Sequence, residues 1–365
     1  MLVFKDNFKY QKPFNTIFLC GSKFNQQNPR DKRIVLKEHI ESKYDNSFPV
    51  ILEEQFKFSK STQEKLSYDD IFLHDLASIE QLTSLFVDKI IVIHETVSTA
   101  AEIGMFSVGA MSANKLCVLV PDGISADEDV IGGFINLAFL SKKATNKIAR
   151  IVYYPDLEIN RLSAEKSDYF YYFHEDRIGE NLSCSLNKFL NFHSERQCIC
   201  FSEKAYGKTS RSSNVIDYCI LPNVQRVDVF IHADALMIQL ISLMYLPEVR
   251  KELRKENSIS THVGKIFNIY SEIIKSTICN LAREDLESFT FKIELKDSIA
   301  QIKSAIGFFF YLLQADGLIK LTQSEPGRHY SIRKFQFTGK FDQFKSYFDG
   351  YICDLGTSAY GELGL

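Results

Sequence analysis

The chain has 365 residues, of which 45% are hydrophobic and 24% are charged, and its net charge is −3. This composition excludes disorder over most of the length, and no apolar run approaches the roughly 20 residues that a membrane-spanning helix needs. The small net charge gives no support for nucleic-acid binding by the chain as a whole, so such binding would require a local basic patch. The N-terminus turns polar within a few residues, which is not the pattern of a secretory signal peptide.

The eight cysteines are too few for a disulfide scaffold, and most lie in apolar segments. Cys198 and Cys200 are separated by one residue instead of the two typical of zinc sites, and no histidine pair has the spacing of a helical metal site. We therefore expect a cytoplasmic protein with free thiols, without a metal and without a resident cofactor.

The first part of the chain alternates apolar runs with segments of helical periodicity. The apolar runs predict five strands, at 16–20, 48–52, 89–94, 116–120 and 149–153. The segments between them predict helices at 31–42, 99–112 and 131–140, and a helix with breaks at 63–87. Strands without a polar face are typical of a parallel sheet buried on both sides. The predicted class is therefore α/β, with a doubly wound, parallel, five-stranded sheet whose ligand lies outside the carboxyl ends of the strands.

Residues 156–229 show no clear pattern, and we interpret them as an α+β accessory segment or linker. An aromatic cluster lies at 168–176, and a Ser-rich polar stretch at 204–214 is the best candidate for a linker. The aromatic side chains could stack on nucleic-acid bases, but packing in a core is the more ordinary role. From residue 230 the chain is mainly helical, with long helical patterns at 230–253 and 261–281.

A helix at 298–314 and strands at 318–322 and 329–338 predict the second half of a winged helix-turn-helix, at about 296–340. Residues 300–345 contain seven basic and three acidic residues. Four of the basic residues are expected on the hairpin, where they would contact a nucleic-acid backbone: Arg328, Arg333, Lys334 and Lys340. Because winged helices also dock proteins, the pattern leaves both kinds of partner open.

The chemistry is expected at residues 95–107, which follow the third strand and open a helix. The glycine-rich dinucleotide and P-loop motifs and the nucleophile elbow are absent from the sequence. A carboxylate at Glu102, placed in the first helical turn, would be held ionised by the helix dipole, and an ionised carboxylate can attack a sugar anomeric carbon. The small residues Ser98 and Thr99 would let a substrate approach. The alternative is a capping box in which Glu102 only reaches back to the amide of Thr99.

The segment Thr-Ile-Phe-Leu-Cys-Gly-Ser at 16–22 resembles the first strand and loop of nucleoside deoxyribosyltransferases. Val87-Asp88, Ser98-Thr99 and Glu102-Ile103-Gly104 follow the later pattern of that family in order. Further matches are Ser78-Ile79-Glu80, residues 133–136 and the predicted winged helix. With these included, the chain resembles the nucleoside deoxyribosyltransferase-like effectors of retron antiphage systems. The resemblance covers roughly residues 16–140 and, more weakly, 296–340.

This resemblance implies a nucleoside or nucleotide N-glycosidase, with NAD as the substrate in the retron branch. It assigns catalytic roles to Glu102 as the nucleophile, to Glu80 as a sugar-binding carboxylate and to Asp88 before the third strand. Substrate-binding residues are then expected at Cys20, Gly21, Ser22, Glu95, Ser98, Thr99 and Asn136. Glu80 could equally be a solvated helix charge, and Asp88 could be structural.

One position departs from the classical transferases, which have an acid six residues before the nucleophile where this chain has Thr96, next to Glu95. The departure argues against base transfer between free deoxynucleosides. It argues less against NAD cleavage, since nicotinamide leaves as a neutral molecule and needs no general acid.

We therefore expect a toxic antiphage effector that is held inactive by a retron reverse transcriptase and its msDNA or noncoding RNA, within a homo-oligomer or larger assembly. The expected domains are an N-glycosidase domain at 1–155, the accessory segment at 156–229 and a helical region with the winged helix at 230–365. A housekeeping deoxyribosyltransferase or nucleotide N-glycosidase is one alternative, against which the C-terminal extension argues. A non-enzymatic, nucleotide-sensing DNA-binding regulator is the other, against which the intact Glu102 argues.

Overall fold

The structure is a computed structural model of the chain. It describes residues 1–22, 24–29, 31–57, 66–67, 71, 73, 76–108, 115–122, 150–155, 173–174, 177–191, 196–282, 285–322 and 332–358. The protein is mixed α/β with a parallel sheet and several helices, which confirms the α/β part of the predicted class. Within the described part of the chain, no helix combines the length and hydropathy required to cross a membrane.

The strands, numbered along the chain, are β1 (Leu2–Phe4), β2 (Phe8–Tyr10), β3 (Asn15–Cys20), β4 (Ser47–Val50), β5 (Phe56–Lys57), β6 (Leu66–Ser67), β7 (Lys89–Ile93), β8 (Leu116–Asp122), β9 (Arg150–Pro155), β10 (Phe173–His174), β11 (Arg177–Ile178), β12 (Gln197–Glu203), β13 (Val215–Leu221), β14 (Arg226–Ile231), β15 (Asn257–Ser258), β16 (Thr290–Leu295), β17 (Ile319–Thr322), β18 (Ile332–Phe337) and β19 (Ile352–Asp354). The helices are α1 (Lys32–Lys43), α2 (Leu52–Gln55), α3 (Leu76–Phe86), α4 (Val97–Val108), α5 (Glu180–Leu190), α6 (Ala233–Met244), α7 (Pro247–Leu253), α8 (Ile259–Ala282), α9 (Ile302–Ala315), α10 (Gly339–Gln343), α11 (Lys345–Phe348) and α12 (Leu355–Ser358).

The chain folds into two compact units. The parallel-sheet unit comprises Phe14–Glu54 and Thr83–His193, and the mixed-sheet unit comprises Met1–Pro13, Gln55–Leu82 and Ser194–Leu365. The first thirteen residues therefore belong with the C-terminal half of the chain, which the expected boundaries at 155 and 229 do not anticipate.

The sheet of the parallel-sheet unit has five strands in the order β4-β3-β7-β8-β9, and all neighbouring strands are parallel. Alternate residues of the strands, such as Ile17 and Leu19, share a buried cluster with Leu36 of α1 and Leu186 of α5. On the opposite face, the ring of Phe18 meets the ring of Phe106 of α4 edge-on, with 6.1 Å between ring centroids. Both faces of the sheet are covered, which is why its strands are continuously apolar.

Two of the helices predicted before residue 155 differ from the structure. The helix expected from residue 99 begins two residues earlier, at Val97. Within the segment 63–87, the described residues form a helix at Leu76–Phe86 and the strand β6. The helix expected at 131–140 lies outside the described residues.

The mixed-sheet unit has a second five-stranded sheet, in the order β16-β14-β13-β12-β2. Its strands come from distant parts of the chain, since β2 pairs with β12, and β14 pairs with β16. The Ser-rich stretch 204–214 joins β12 to its parallel neighbour β13. It is therefore a loop within one sheet, and its interpretation as a linker is wrong. Most of the aromatic cluster at 168–176 lies outside the described residues.

In the same unit, α9 leads into the antiparallel hairpin β17–β18, and the short strand β15 pairs with the outer side of β18. Arg333 was expected on an exposed hairpin surface, but its side chain is 2% exposed. The reason is the alternation of β18, which places Arg333 on the same buried face as Phe335 and turns Lys334 to the other face. Lys340 follows the hairpin, in α10. Arg328 lies outside the described residues.

Candidate active site

The candidate site lies at the carboxyl ends of β3 and β7, where the strand order of the parallel sheet reverses. From β3 the chain goes to β4 on one side, and later returns to β7 on the other side. Loops that leave such neighbouring strands in opposite directions open a crevice, which is the usual ligand position in open α/β sheets. A cavity of about 230 Å³ lies here. It is lined by Gly21, Ser22, Asn25, Asn28, Asp31, Lys32, Arg33, Ile93 and Glu95.

The loop after β3 is fixed by the buried guanidinium of Arg33. Arg33 Nη2 donates to the carbonyl of Ser22, and Nη1 donates to Glu53 Oε1 at 2.9 Å. The guanidinium also lies 4.8 Å from the centre of the Phe24 ring. A Cβ atom at position 21 would come within 3.1 Å of Arg33 Cδ, so Gly21 lets the loop lie directly on this side chain. The floor of the cavity is thus held by a charged side chain that is itself 2% exposed.

The carboxylate of Glu95 joins the loop after β7 to the loop after β3. Lys32 Nζ donates to Glu95 Oε1, and Ser22 Oγ donates to Glu95 Oε2 at 3.2 Å. Three of the predicted substrate-binding residues, Gly21, Ser22 and Glu95, therefore meet at one cavity. Lys32 is a cavity residue that the sequence analysis missed, and its place in the first turn of the helix after Gly21-Ser22 could have indicated it.

The start of α4 is organised by Thr99, which is fully buried. Its hydroxyl donates to the carbonyl of Thr96 at 2.7 Å and accepts from the backbone N–H groups of Glu95 and Thr96, at 3.3 and 3.2 Å. The Thr99 amide in turn lies 3.5 Å from Thr96 Oγ1. This reciprocal pair is the arrangement of a capping box, formed by Thr96 and Thr99 and not by Thr99 and Glu102.

Glu102 is the sixth residue of α4. It lies in the second turn, so the expectation of a first-turn carboxylate is wrong, and the dipole stabilises its anion less because that effect fades beyond the first turn. The capping alternative is also wrong, since Thr96 begins the helix. Glu102 is half-buried, with its Oε2 atom inaccessible to solvent. Helical spacing puts it on the same face as Ser98 and Thr99, and helical side chains lean toward the N-terminus. Glu102 is not among the described residues that line the cavity.

His94, the residue after β7, also belongs to this region and was not predicted as a site residue. Its Nδ1 lies 2.9 Å from Thr99 Oγ1. Burial lowers the pKa of His94, against the opposing effect of the Glu95 carboxylate. A histidine at the carboxyl end of the third strand was the signal that could have identified it.

Asp88 lies at the opposite edge of the sheet. Its Oδ2 accepts from the backbone N–H of Thr16 at 2.8 Å, and its own N–H donates to the Thr16 carbonyl at 2.9 Å. Both residues stand at the amino ends of their strands, so a five-residue strand, about 17 Å, separates Asp88 from the carboxyl edge. Asp88 therefore connects β7 to β3, and the structure does not support a catalytic role for it.

The remaining predicted residues are distributed as follows. Cys20 ends β3 and is buried, while Ser98 is exposed in the first turn of α4. Glu80 lies in the part of α3 that groups with the mixed-sheet unit, and its role as a sugar-binding carboxylate stays a prediction. Asn136 lies outside the described residues.

Thr99→Val should disturb the site through the fold. The substitution keeps the side-chain shape but removes the acceptor for two backbone N–H groups and the partner of His94, so we expect the free energy of unfolding to fall by about 1–3 kcal/mol. Urea denaturation measures the loss. Ser98→Ala, at the exposed neighbouring position, should leave the stability unchanged. Equal stability of the two variants would show that the Thr99 hydroxyl does not organise this turn.

The comparisons with known proteins address the role of the whole chain. No curated protein matches it. A protein-family model described as STM3845 retron effector protein matches residues 29–321, which is most of the chain and includes the cavity residues from Asp31 onward and all of α4. The protein therefore belongs to the STM3845 retron effector protein family and is an effector of a retron antiphage system.

Proposed function

We propose that this effector is an N-glycosidase that cleaves the nicotinamide–ribose bond of NAD or of a related nucleotide. The observation that supports it best is the position of Glu102, a half-buried carboxylate on the helix that leaves the carboxyl end of β7 beside the crevice. Helices on both faces of the parallel sheet, with α1 and α5 on one side and α4 on the other, are consistent with a doubly wound, nucleoside deoxyribosyltransferase-like domain.

In this proposal Glu102 attacks C1′ of the ribose, or stabilises the oxocarbenium ion while water attacks. The C1′–N bond breaks, and its electron pair neutralises the pyridinium ring, so nicotinamide leaves without a general acid. Water then completes the hydrolysis at C1′. The Gly21-Ser22 loop and the first turn of α1 line the neighbouring cavity, where they would hold the ribose or the phosphates, since the dipole at a helix start favours anions.

The direct test is incubation of the purified protein with NAD and, separately, with pairs of deoxynucleosides and free bases, followed by chromatographic identification of the released base. We expect nicotinamide and ADP-ribose from NAD. Base exchange between deoxynucleosides without NAD cleavage would instead identify a deoxyribosyltransferase. No base release from any nucleotide would overturn the proposal.

A retron effector associates with the components of its retron system, and we propose that reverse transcriptase and msDNA hold this one inactive. We interpret α9, the β17–β18 hairpin and the added strand β15 as a winged helix that contributes to this docking. The strand β15 supports the interpretation, because it pairs with β18 and leaves β17 at the other edge of this three-stranded sheet.

Because Arg333 is buried, only the other three basic residues of the winged helix are expected to contribute to binding of the nucleoprotein partner. Replacing Arg328, Lys334 and Lys340 with Gln should weaken association with the nucleoprotein partner and lower the salt slope of binding by about 2–3. NAD cleavage by the isolated protein should stay at the wild-type level. Arg333→Gln should instead reduce stability, because it removes a buried cation from its partners. Association of the triple variant that is unchanged at low and high salt would show that these charges do not contact phosphate.

A further inference from the structure

The loop at 204–214, which we name the basic loop, carries an excess of positive charge. It contains Lys204, Lys208 and Arg211 and no acidic residue, within a chain of net charge −3. Lys208 and Arg211 are exposed, and neither forms an ion pair with any residue that the structure describes. Lys204 lies 4.0 Å from the carboxylate of Asp217.

An aromatic side chain stands at the tip of the same loop. Tyr206 is 76% exposed, among the most exposed large apolar side chains of the described residues. The N–H of Lys208 donates to the carbonyl of Ala205 at 3.0 Å, and Gly207 has φ +73°. A four-residue turn with a positive-φ glycine in third position is the type II pattern. Tyr206 occupies the second position, a corner of the turn, where its ring is open to solvent.

The loop is held in place by Ser210. Its N–H and hydroxyl donate to the two carboxylate oxygens of Asp217, at 2.5 and 2.7 Å, and its carbonyl accepts from Lys296 Nζ. Asp217 is fully buried in β13. Before the turn, the N–H of Lys204 donates to the carbonyl of Tyr218 at 2.8 Å. The loop that presents Tyr206 and Lys208 is thus held on both sides of the turn, which lowers the entropy lost when it binds a ligand.

We propose that the basic loop binds single-stranded nucleic acid, with the Tyr206 ring stacked on a base and with Lys208 and Arg211 on the flanking phosphates. Aromatic rings beside cationic side chains are the combination by which proteins bind single strands without reading their sequence. The Tyr206 ring can stack only on an unstacked base. A duplex would therefore bind Lys208 and Arg211 through its phosphates but would offer no base to Tyr206. A protein partner would require a larger apolar surface around Tyr206, and the other residues of the turn are small or polar. The proposal does not involve Glu102 and stands apart from the glycosidase activity.

The test measures anisotropy of a fluorescein-labelled oligothymidylate of about 16 nucleotides, with the same sequence in duplex form as the second probe. We expect Tyr206→Leu to weaken single-strand binding about 5- to 150-fold, since stacking contributes about 1–3 kcal/mol per base. Tyr206→Phe should bind as the wild type does, because it keeps the ring. Lys208→Gln with Arg211→Gln should lower the salt slope by about 1.4.

The matched controls remove a Lys and an Arg, or a tyrosine ring, at exposed positions elsewhere in the mixed-sheet unit. They are Lys251→Gln with Arg254→Gln, and Tyr347→Ala. These variants should bind as the wild type does. Three results would overturn the proposal: an equal loss in Tyr206→Phe and Tyr206→Leu, an equal loss in the control variants, or affinity of the loop for phosphatidylserine vesicles without affinity for the oligonucleotide. NAD cleavage measured on the same variants separates this outcome from that of the proposed function.

Discussion

Replacing Glu102 with Gln is expected to reduce nicotinamide release from NAD by about a thousandfold or more, because the amide removes the negative charge that faces the developing oxocarbenium ion. The fold should be unaffected. Thr96 and Thr99 cap α4 without help from position 102, so the melting temperature of Glu102→Gln should equal that of the wild type. The variant should also relieve toxicity when the effector is produced without its partners.

The matched control is Glu38→Gln, which neutralises an exposed helical carboxylate in the same unit. It should cleave NAD at the wild-type rate. Wild-type turnover by Glu102→Gln would remove Glu102 from the mechanism. If the protein releases a base from another nucleotide but not from NAD, the same pair of variants decides the role of Glu102 with that substrate.

Replacing Arg33 with Met is expected to reduce the stability of the parallel-sheet unit. Met fills most of the volume but leaves the Ser22 carbonyl and the Asp31 and Glu53 carboxylates without the guanidinium. Hydrogen bonds to charged groups contribute about 1.5–3 kcal/mol each, and Glu53 is half-exposed and can recover water, so we expect a loss of about 3 kcal/mol. Because Arg33 fixes the Gly21-Ser22 loop, KM for NAD should rise as well.

Lys188→Met is the control for Arg33→Met, since Lys188 is exposed on α5 of the same unit. Its unfolding in urea should match that of the wild type. An Arg33→Met protein with wild-type stability and KM would mean that the loop holds its conformation without the guanidinium. The proposed cavity would then lack the rigid floor that the structure assigns to it.

The parallel sheet could be predicted because each of its strands is buried on both faces and is therefore apolar throughout, as in Lys89–Ile93. The second sheet could not. Thr290–Leu295 alternates polar and apolar residues over a short span, and β2 finds its partner β12 nearly 190 residues away. Pairing over such distances leaves no local signal in the sequence.

Part of the candidate site could also be predicted from the sequence. The position of the crevice follows from the strand order, and Gly21, Ser22 and Glu95 meet there as expected. The helix start was misplaced because Thr96 and Thr99 both fit a capping pattern, and only the end of β7 at Ile93 decides between them. The charge of Arg333 predicted exposure, but the two-residue period of β18 put it on the buried face with Phe335.

The pairing of β1 with β19 links Leu2 to Asp354, and this has a consequence for synthesis on the ribosome. All residues of the parallel-sheet unit, including Glu102, have been translated by His193, whereas the mixed-sheet unit must wait for β19 before its first strand has a partner. At about 5–20 residues per second the interval is roughly ten to thirty seconds. The nascent chain thus possesses every residue of its Glu102-bearing unit before the mixed-sheet unit, which includes the hairpin and the basic loop, can be completed.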